Sequence, residues 1–318
     1  MRRAAALVFT PLIAALALAG CSSSSSSSSS AAASGTNSTV TVTGDFGKAP
    51  TVKIPKAKGS ADLVTKTVIQ GTGPTFNAAD GMIGNYVAYD WSGTTSKQLG
   101  SSYTTGTPSL FVGSLLPGLE SALVGQKMGS RVLAVIPPKD GFGTSGNSTE
   151  GIGATDTLVF VVDLNSTFPT NLTAKQTSNG GGALPTVTAP AAGSTAGPTV
   201  KIDTKATPPK TLQVKTLTKG TGAVVKKGQD IAVQYAGYIW RTGAVFQSSY
   251  TEKTPFTTPI GEGEVIPGWD TGLVGQTVGS RVLLVIPPAQ GYGTAGASQV
   301  GIKGTDTLVF VVDILAAV

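Results

Sequence analysis

The sequence predicts an α+β fold built twice: two copies of one unit, each a small antiparallel β-sheet packed on one short helix. Three observations carry that prediction. Five blocks of residues recur along the chain at an offset of 148 to 150. Within each copy the apolar runs are short, rich in β-branched and aromatic residues, and bounded by Gly, Pro, Ser or Asp, as strands are. One segment per copy breaks that habit and spaces its apolar residues by a helical turn.

Taken in chain order, APTVKI (49–54) recurs as GPTVKI (197–202), and LVTKTVIQGTG (63–73) as LQVKTLTKGTG (212–222). NYVAYDW (85–91) recurs as QYAGYIW (234–240). In the longer run DIAVQYAGYIW, residues Ile231, Val233, Tyr235, Gly237 and Ile239 fall on one face of a strand. VGQKMGSRVLAVIPPKDGFG (124–143) recurs as VGQTVGSRVLLVIPPAQGYG (274–293), and GIGATDTLVFVVDL (151–164) as GIKGTDTLVFVVDI (301–314). RVLLVIPP and TLVFVVDILAA are apolar without interruption, so they read as central strands covered on both faces. Pro287 and Pro288 stop the first of them, since proline cannot donate to a ladder. PGWDTGLVGQ reads as the helix. Pro267 suits its first turn, Trp269 and Leu273 share a face, and Asp270 favours its N-terminal end.

The N-terminus has a different character. MRR precedes the apolar run AAALVFTPLIAALALAG, which is too short and too sharply terminated for a spanning helix. It ends in Leu18-Ala19-Gly20-Cys21, which resembles a bacterial lipobox. That resemblance implies a diacylglycerol thioether on Cys21 and a protein anchored to a bacterial cell membrane on its extracytoplasmic side. An ordinary secretory leader with an incidental cysteine is the alternative. Ser22–Ser30 is unbroken serine and has no apolar surface to offset chain entropy. The expected organisation is a signal peptide over 1–20, a Ser-rich flexible tether over 21–47, a first domain over 48–166, a linker over 167–196 and a second domain over 197–318.

Composition removes several chemistries. The chain has no histidine, which excludes Ser-His-Asp and Cys-His catalysis and His-ligated zinc. Its one cysteine excludes an intrachain disulfide. Net charge is +6, but the lysines are scattered and form no basic stripe, so no nucleic-acid partner is expected. Neither a metal nor a cofactor is implied, and nothing suggests a coiled coil, so the expected state is a monomer.

In the second copy, YAGYIWRTGAVFQSSY, TPF, GEGEVIPGWDTGLVGQTVGSRVLLVIPPAQGYG and GTDTLVFVVDIL closely resemble the FKBP-type peptidyl-prolyl cis-trans isomerases, the macrolide-binding immunophilins. The resemblance spans residues 211–315. It implies a half-open antiparallel sheet wrapped around one helix, with the pocket between them and proline-containing polypeptides as clients. Carried over by position, Trp269 forms the pocket floor and Tyr235, Phe246, Phe256 and Phe310 its walls. Val265 and Ile266 form the rim, where the Ile266 amide donates to a substrate carbonyl. Tyr292 offers its hydroxyl. Gln247, Glu264 and Ile302 lie beside the substrate, Ile302 as a flap. Gln247 departs from the family's usual aspartate.

The first copy keeps the frame and thins the lining. Leu119 stands for Trp269, Leu99 for Phe246, Ser109 for Phe256, Phe142 for Tyr292 and Ser114 for Glu264. Tyr86, Phe160 and Ile152 are retained, with Leu115 and Leu116 as apolar substitutes at the rim. The expectation is an isomerase active mainly in its C-terminal domain, assisting folding outside the cytoplasm. A non-catalytic module that holds unfolded or partner proteins is the competing class, and a bare structural stalk the third. The chemistry suits a site without nucleophiles. Amide resonance sets a barrier of about 18–20 kcal/mol to rotation. An apolar pocket disfavours the charge-separated planar amide relative to the twisted one.

Overall fold

The computed structural model describes residues 39–113, 115–172, 174–191 and 194–318. The leader, Cys21 and the serine run lie outside the described residues. Domain 1 comprises β1 (Thr41–Thr43), β2 (Thr51–Lys53), β3 (Val64–Ile69), β4 (Asp80–Ser92), β5 (Thr95–Ser101), α1 (Ser102–Thr105), β6 (Ser109–Phe111), α2 (Pro117–Leu123), β7 (Arg131–Ile136) and β8 (Thr157–Pro169). Domain 2 repeats this as β9 (Thr186–Thr188), β10 (Thr199–Lys201), β11 (Gln213–Thr218), β12 (Asp230–Ile239), β13 (Val245–Ser248), α3 (Ser249–Glu252), β14 (Phe256–Pro259), α4 (Pro267–Leu273), β15 (Arg281–Ile286) and β16 (Leu308–Ala317).

Each domain holds one six-stranded antiparallel sheet. The order is β3-β7-β8-β4-β5 in domain 1, with β6 also paired to β4. It is β11-β15-β16-β12-β13 in domain 2, with β14 paired to β12. The two uninterrupted apolar runs are therefore central, and every residue of β7 and β15 is buried. The predicted helix is α4. Its Pro267 opens the first turn, and Trp269 and Leu273 are buried against the sheet. Covering two such side chains contributes roughly 1.5–3 kcal/mol each. α1 and α3 are single turns that the sequence pattern does not announce.

β12 alternates as expected, but both faces of it and of β4 are covered. In β12, Ile231, Val233, Tyr235 and Ile239 join the core under α4. Ala236, Tyr238 and Trp240 face the other way, into a second core. That second core is closed by the β9–β10 hairpin, through Val187, Leu184, Val200 and Ile202. In domain 1, β1–β2 does the same with Val40, Val42, Val52 and Ile54. Part of the segment read as linker, and the end of the segment read as tether, are thus strand. Their Thr, Ala and Pro content masked a short period-2 alternation, TVT, whose valine points inward.

One charged pair per domain is sunk in these strands. Arg131 Nε donates to Asp163 Oδ1 at 2.6 Å, and Tyr103 donates its hydroxyl to Asp163 Oδ2 at 2.8 Å. Arg131 also donates to the carbonyls of Gly44 and Lys48, so it clamps the turn of the β1–β2 hairpin. In domain 2, Arg281 pairs with Asp313 at 2.7 Å, Tyr250 donates to Asp313, and the outer donation goes to Gln176 Oε1. Burial and the Asp313 charge push the Tyr250 hydroxyl far above its ordinary pKa, so it stays a donor.

The two domains meet along an apolar seam. Ile83, Leu110, Val112 and Phe168 of domain 1 pack on Ala232, Leu315 and Ala316 of domain 2. They cover the part of the outer face of β12 and β16 that the β9–β10 hairpin leaves bare.

Candidate active site

Aromatic residues on three different elements converge above α4 in domain 2. β12 supplies Tyr235, β14 supplies Phe256, and β16 supplies Phe310, while Trp269 rises from the first turn of α4. The rings meet edge to face, the geometry that ring quadrupoles favour. Centroid distances are 5.2 Å for Tyr235–Trp269, 5.3 Å for Trp269–Phe310, 5.8 Å for Tyr235–Phe256 and 6.2 Å for Phe256–Trp269. Phe246 stands behind Phe310 at 5.6 Å. Gly237 makes that approach possible, since a Cβ there would lie 2.7 Å from Phe246 and 2.8 Å from Phe310.

The rings enclose an open cavity of about 380 Å³. This is at the small end of ligand clefts, which span roughly 300–1,000 Å³. Its lining brings together Tyr235, Phe256, Val265, Ile266, Trp269, Tyr292 and Phe310, with Gln247 and Glu264 at its polar margin. Gly263 lines it too. Phe246 and Ile302 are placed differently. Phe246 backs the Phe310 wall, and Ile302 is buried in the core, with its backbone paired to Ala297. Trp269 is 4% exposed, while Phe256 is 40% and Tyr292 38% exposed. The floor is fixed and the rim is open to a chain.

Three features shape the electrostatics. Tyr235 is held above its ordinary pKa, first by burial and then by the charge of Glu252. Burial raises Tyr292 as well. Both hydroxyls are therefore protonated at neutral pH. The indole Nε1 of Trp269 is buried without a hydrogen-bond partner among the described residues. Ile266 is the N-cap of α4 and lies on the cavity wall.

Sequence reasoning read Asp270 as a helix-start carboxylate. It does more: its two oxygens accept from the amides of Gly261 and Gly263, at 2.6 and 2.9 Å. Both glycines have φ above +80°, where a side chain would be strained. This clamp fixes the loop that carries Glu264 and Val265. The signal lay in GEGEVIPGWD, two glycines a short loop before a helix whose first turn holds an aspartate.

Domain 1 places its counterparts in register. Leu99 sits on β5 where Phe246 sits on β13, and Ser109 pairs with Gly84 as Phe256 pairs with Val233. Domain 1 carries a buried ring of its own on the strand that corresponds to β14. Phe111, 7% exposed, packs edge to face on Tyr86 at 5.9 Å. Its equivalent in domain 2, by the pairing of β14, is Thr258. Gly84 beneath Phe111 serves the strand pairing: a Cβ there would lie 2.6 Å from the Asp163 carbonyl oxygen. Sequence alignment alone shows aromatics lost from this copy; it does not show one regained two residues further along.

The sequence profile of the FKBP-type peptidyl-prolyl cis-trans isomerases matches residues 79–165 and again 222–315. The chain is 40% identical over 109 residues to an FK506-binding protein of Streptomyces anulatus, covering 34% of this chain and 88% of that one. It is 39% identical over 104 residues to an FK506-binding protein of Neisseria meningitidis serogroup A, covering 33% and 94%. Among solved structures it is similar to AtFKBP13, with 34% identity, 35% of this chain and 96% of that one covered, and a TM-score of 0.32.

Proposed function

Since the chain belongs to the FKBP-type peptidyl-prolyl cis-trans isomerase family, matched over more than half its length, we propose that its catalysis resides mainly in the domain 2 pocket. The family acts on proline-containing polypeptides. In this reading a client presents an X–Pro bond to the cavity, with the proline ring on the Trp269 indole and between Tyr235, Phe256 and Phe310. The aromatic walls exclude water, so the planar amide loses solvation of its separated charges while the twisted amide loses little. The Ile266 amide and the Tyr292 hydroxyl donate to client carbonyls and hold the flanks. Each tenfold in rate needs only about 1.4 kcal/mol of preferential binding to the twisted state.

The observation that carries this reading is the edge-to-face ring set around an open cavity in domain 2, where domain 1 has Leu119 and Ser109 at the positions of Trp269 and Phe256. We extend it to the cell: a monomer tethered through a lipidated Cys21 would help secreted chains past a step that otherwise takes tens to hundreds of seconds. The test is a protease-coupled prolyl-peptide assay on the full chain. Trp269→Leu, which installs the residue of domain 1, is expected to remove most of the activity while thermal stability shows that the fold persists. A variant with unchanged turnover would move catalysis away from this pocket. Fractionation of cells expressing Cys21→Ser tests the anchor: loss of membrane association is expected, and retention sinks it.

A further inference from the structure

The seam between the domains runs into the walls of the pocket. β12 alternates, and on its outer face Ala232 and Gln234 meet domain 1 while Ala236 and Tyr238 face the β9–β10 hairpin. Ala232 is buried in the seam itself. Gln234 is 3% exposed and donates its side-chain amide to the backbone carbonyl of Thr170, at the end of the domain 1 sheet, at 3.3 Å. Its Oε1 accepts from the Ser249 hydroxyl, and Ser249 Oγ accepts from the backbone amide of Tyr235 at 2.8 Å. A continuous hydrogen-bonded path therefore links domain 1 to the wall tyrosine. The second wall has its own contact. Gly113 of domain 1, with φ +85°, abuts Thr254, two residues before Phe256; a Cβ on Gly113 would lie 2.7 Å from the Thr254 methyl.

Domain 1 contains the same path without its outer end. Asn85 Oδ1 accepts from Ser102 Oγ, and Ser102 Oγ accepts from the Tyr86 amide at 2.8 Å. The step from Asn85 to Gln234 lengthens the side chain by one methylene, about 1.5 Å. That added reach is what lets the amide cross to Thr170. The Ser–Tyr link is common to both copies, and the lengthened amide occurs only in domain 2, where it reaches the other domain.

We infer that domain 1 is a docked positioning element for the domain 2 pocket, acting through Gln234 on Tyr235 and through Thr254 on Phe256. This rests on the reading of domain 2 as the catalytic copy. A buried amide paired at both its oxygen and its nitrogen at a domain seam holds one register of packing, because a slip leaves it unpaired in an apolar place. Holding β12 and the start of β14 in that register holds the two rings that close the sides of the cavity. Shifts well under the size of a ring are costly to a pocket that works by preferential fit.

The test uses the full chain. Gln234→Asn restores the domain 1 residue, keeps an acceptor for Ser249 and gives up the reach to Thr170. Leu110→Lys with Val112→Lys places charge on half-buried residues of the domain 1 side and leaves every pocket residue intact. kcat and KM on a prolyl peptide are measured, with small-angle scattering for docking and thermal unfolding for stability. About a fivefold fall in kcat/KM is expected for Gln234→Asn with unchanged melting, the low end of ordinary coupling between sites. The triple variant is expected to lose no more than the worse of its parents, since both act on one seam. Full kcat/KM in Gln234→Asn overturns the inference whatever the lysine pair does, and so does full activity in a lysine variant that scattering shows undocked. If Trp269→Leu also stays active, it is the assignment of the pocket that has failed.

Discussion

Domain 1 and domain 2 share strand order, register and helix, yet they spend their aromatic residues in opposite ways. Domain 2 sets Phe256 at the rim, 40% exposed, and leaves Thr258 inside. Domain 1 has Ser109 at the rim and Phe111 inside, 7% exposed. A ring moved inward by two residues turns a cavity wall into core. The scaffold tolerates either choice because the central strands, buried on both faces, hold the sheet without help from the pocket side.

The largest expected effects test what the domains share. Arg281→Met leaves Asp313 charged and unpaired in the sheet, and Arg131→Met does the same to Asp163; each is expected to cost about 3–5 kcal/mol by denaturant unfolding. A loss confined to one domain would show that the two pairs are not equivalent. Next comes the aromatic exchange itself. Phe111→Ala is expected to destabilise domain 1 by about 3–5 kcal/mol, the usual cost of a buried ring. Phe256→Ala, at the rim, is expected to cost under about 1 kcal/mol of stability while lowering kcat/KM on a prolyl peptide. The reverse ranking would mean that the inward ring is idle and the rim ring structural.

A smaller effect separates the two tyrosine positions. Tyr292→Phe is expected to lower activity by up to about tenfold, the worth of one hydrogen bond, with no change in melting. Phe142→Tyr in domain 1 is expected to give no gain, because Leu119 and Ser109 stand there where Trp269 and Phe256 line the domain 2 cavity.

The smallest effect is a difference in pH response. Arg241 holds the Asp306 carboxyl below its ordinary pKa in domain 2. That pair therefore stabilises above the unfolded pKa and loses its contribution as pH falls through the folded one. In domain 1 the equivalent of Arg241 is Ser92, and Asp90 is raised, chiefly by burial and then by Asp156. A raised carboxyl costs stability at neutral pH, and the cost vanishes as pH falls through its folded pKa. Asp90→Asn should thus raise domain 1 melting at pH 7 and do so less at acid pH, while Asp306→Asn lowers domain 2 melting at pH 7. Scanning both variants between pH 7 and pH 4 checks the opposed signs.

Much of this was legible in the chain. Repeat spacing gave the two units, uninterrupted apolar runs gave β7, β8, β15 and β16, and Pro267 with Trp269 gave α4. The resemblance named most of the residues around the cavity, but also Phe246 and Ile302, which stand behind it, and it did not name Gly263. What stayed hidden had a physical reason in each case. The hairpins are three residues a side, too short for periodicity to stand out from a Thr- and Pro-rich background. Phe111 compensates through register, which depends on how β6 pairs with β4. The Arg131 and Arg281 pairs were visible only as lone charges inside apolar strands, and their partners are 32 residues away.

The guanidinium clamps carry a practical consequence for anyone cutting the molecule apart. Arg131 is completed by carbonyls at Gly44 and Lys48, and Arg281 by Gln176, all upstream of where the family profile begins to match. An excised piece starting at residue 79 or 222 would strip off the first sheet strand and the strap behind it, and would bare a buried cation. Fragments meant to report on each half alone should start before Val40 and before Gln176.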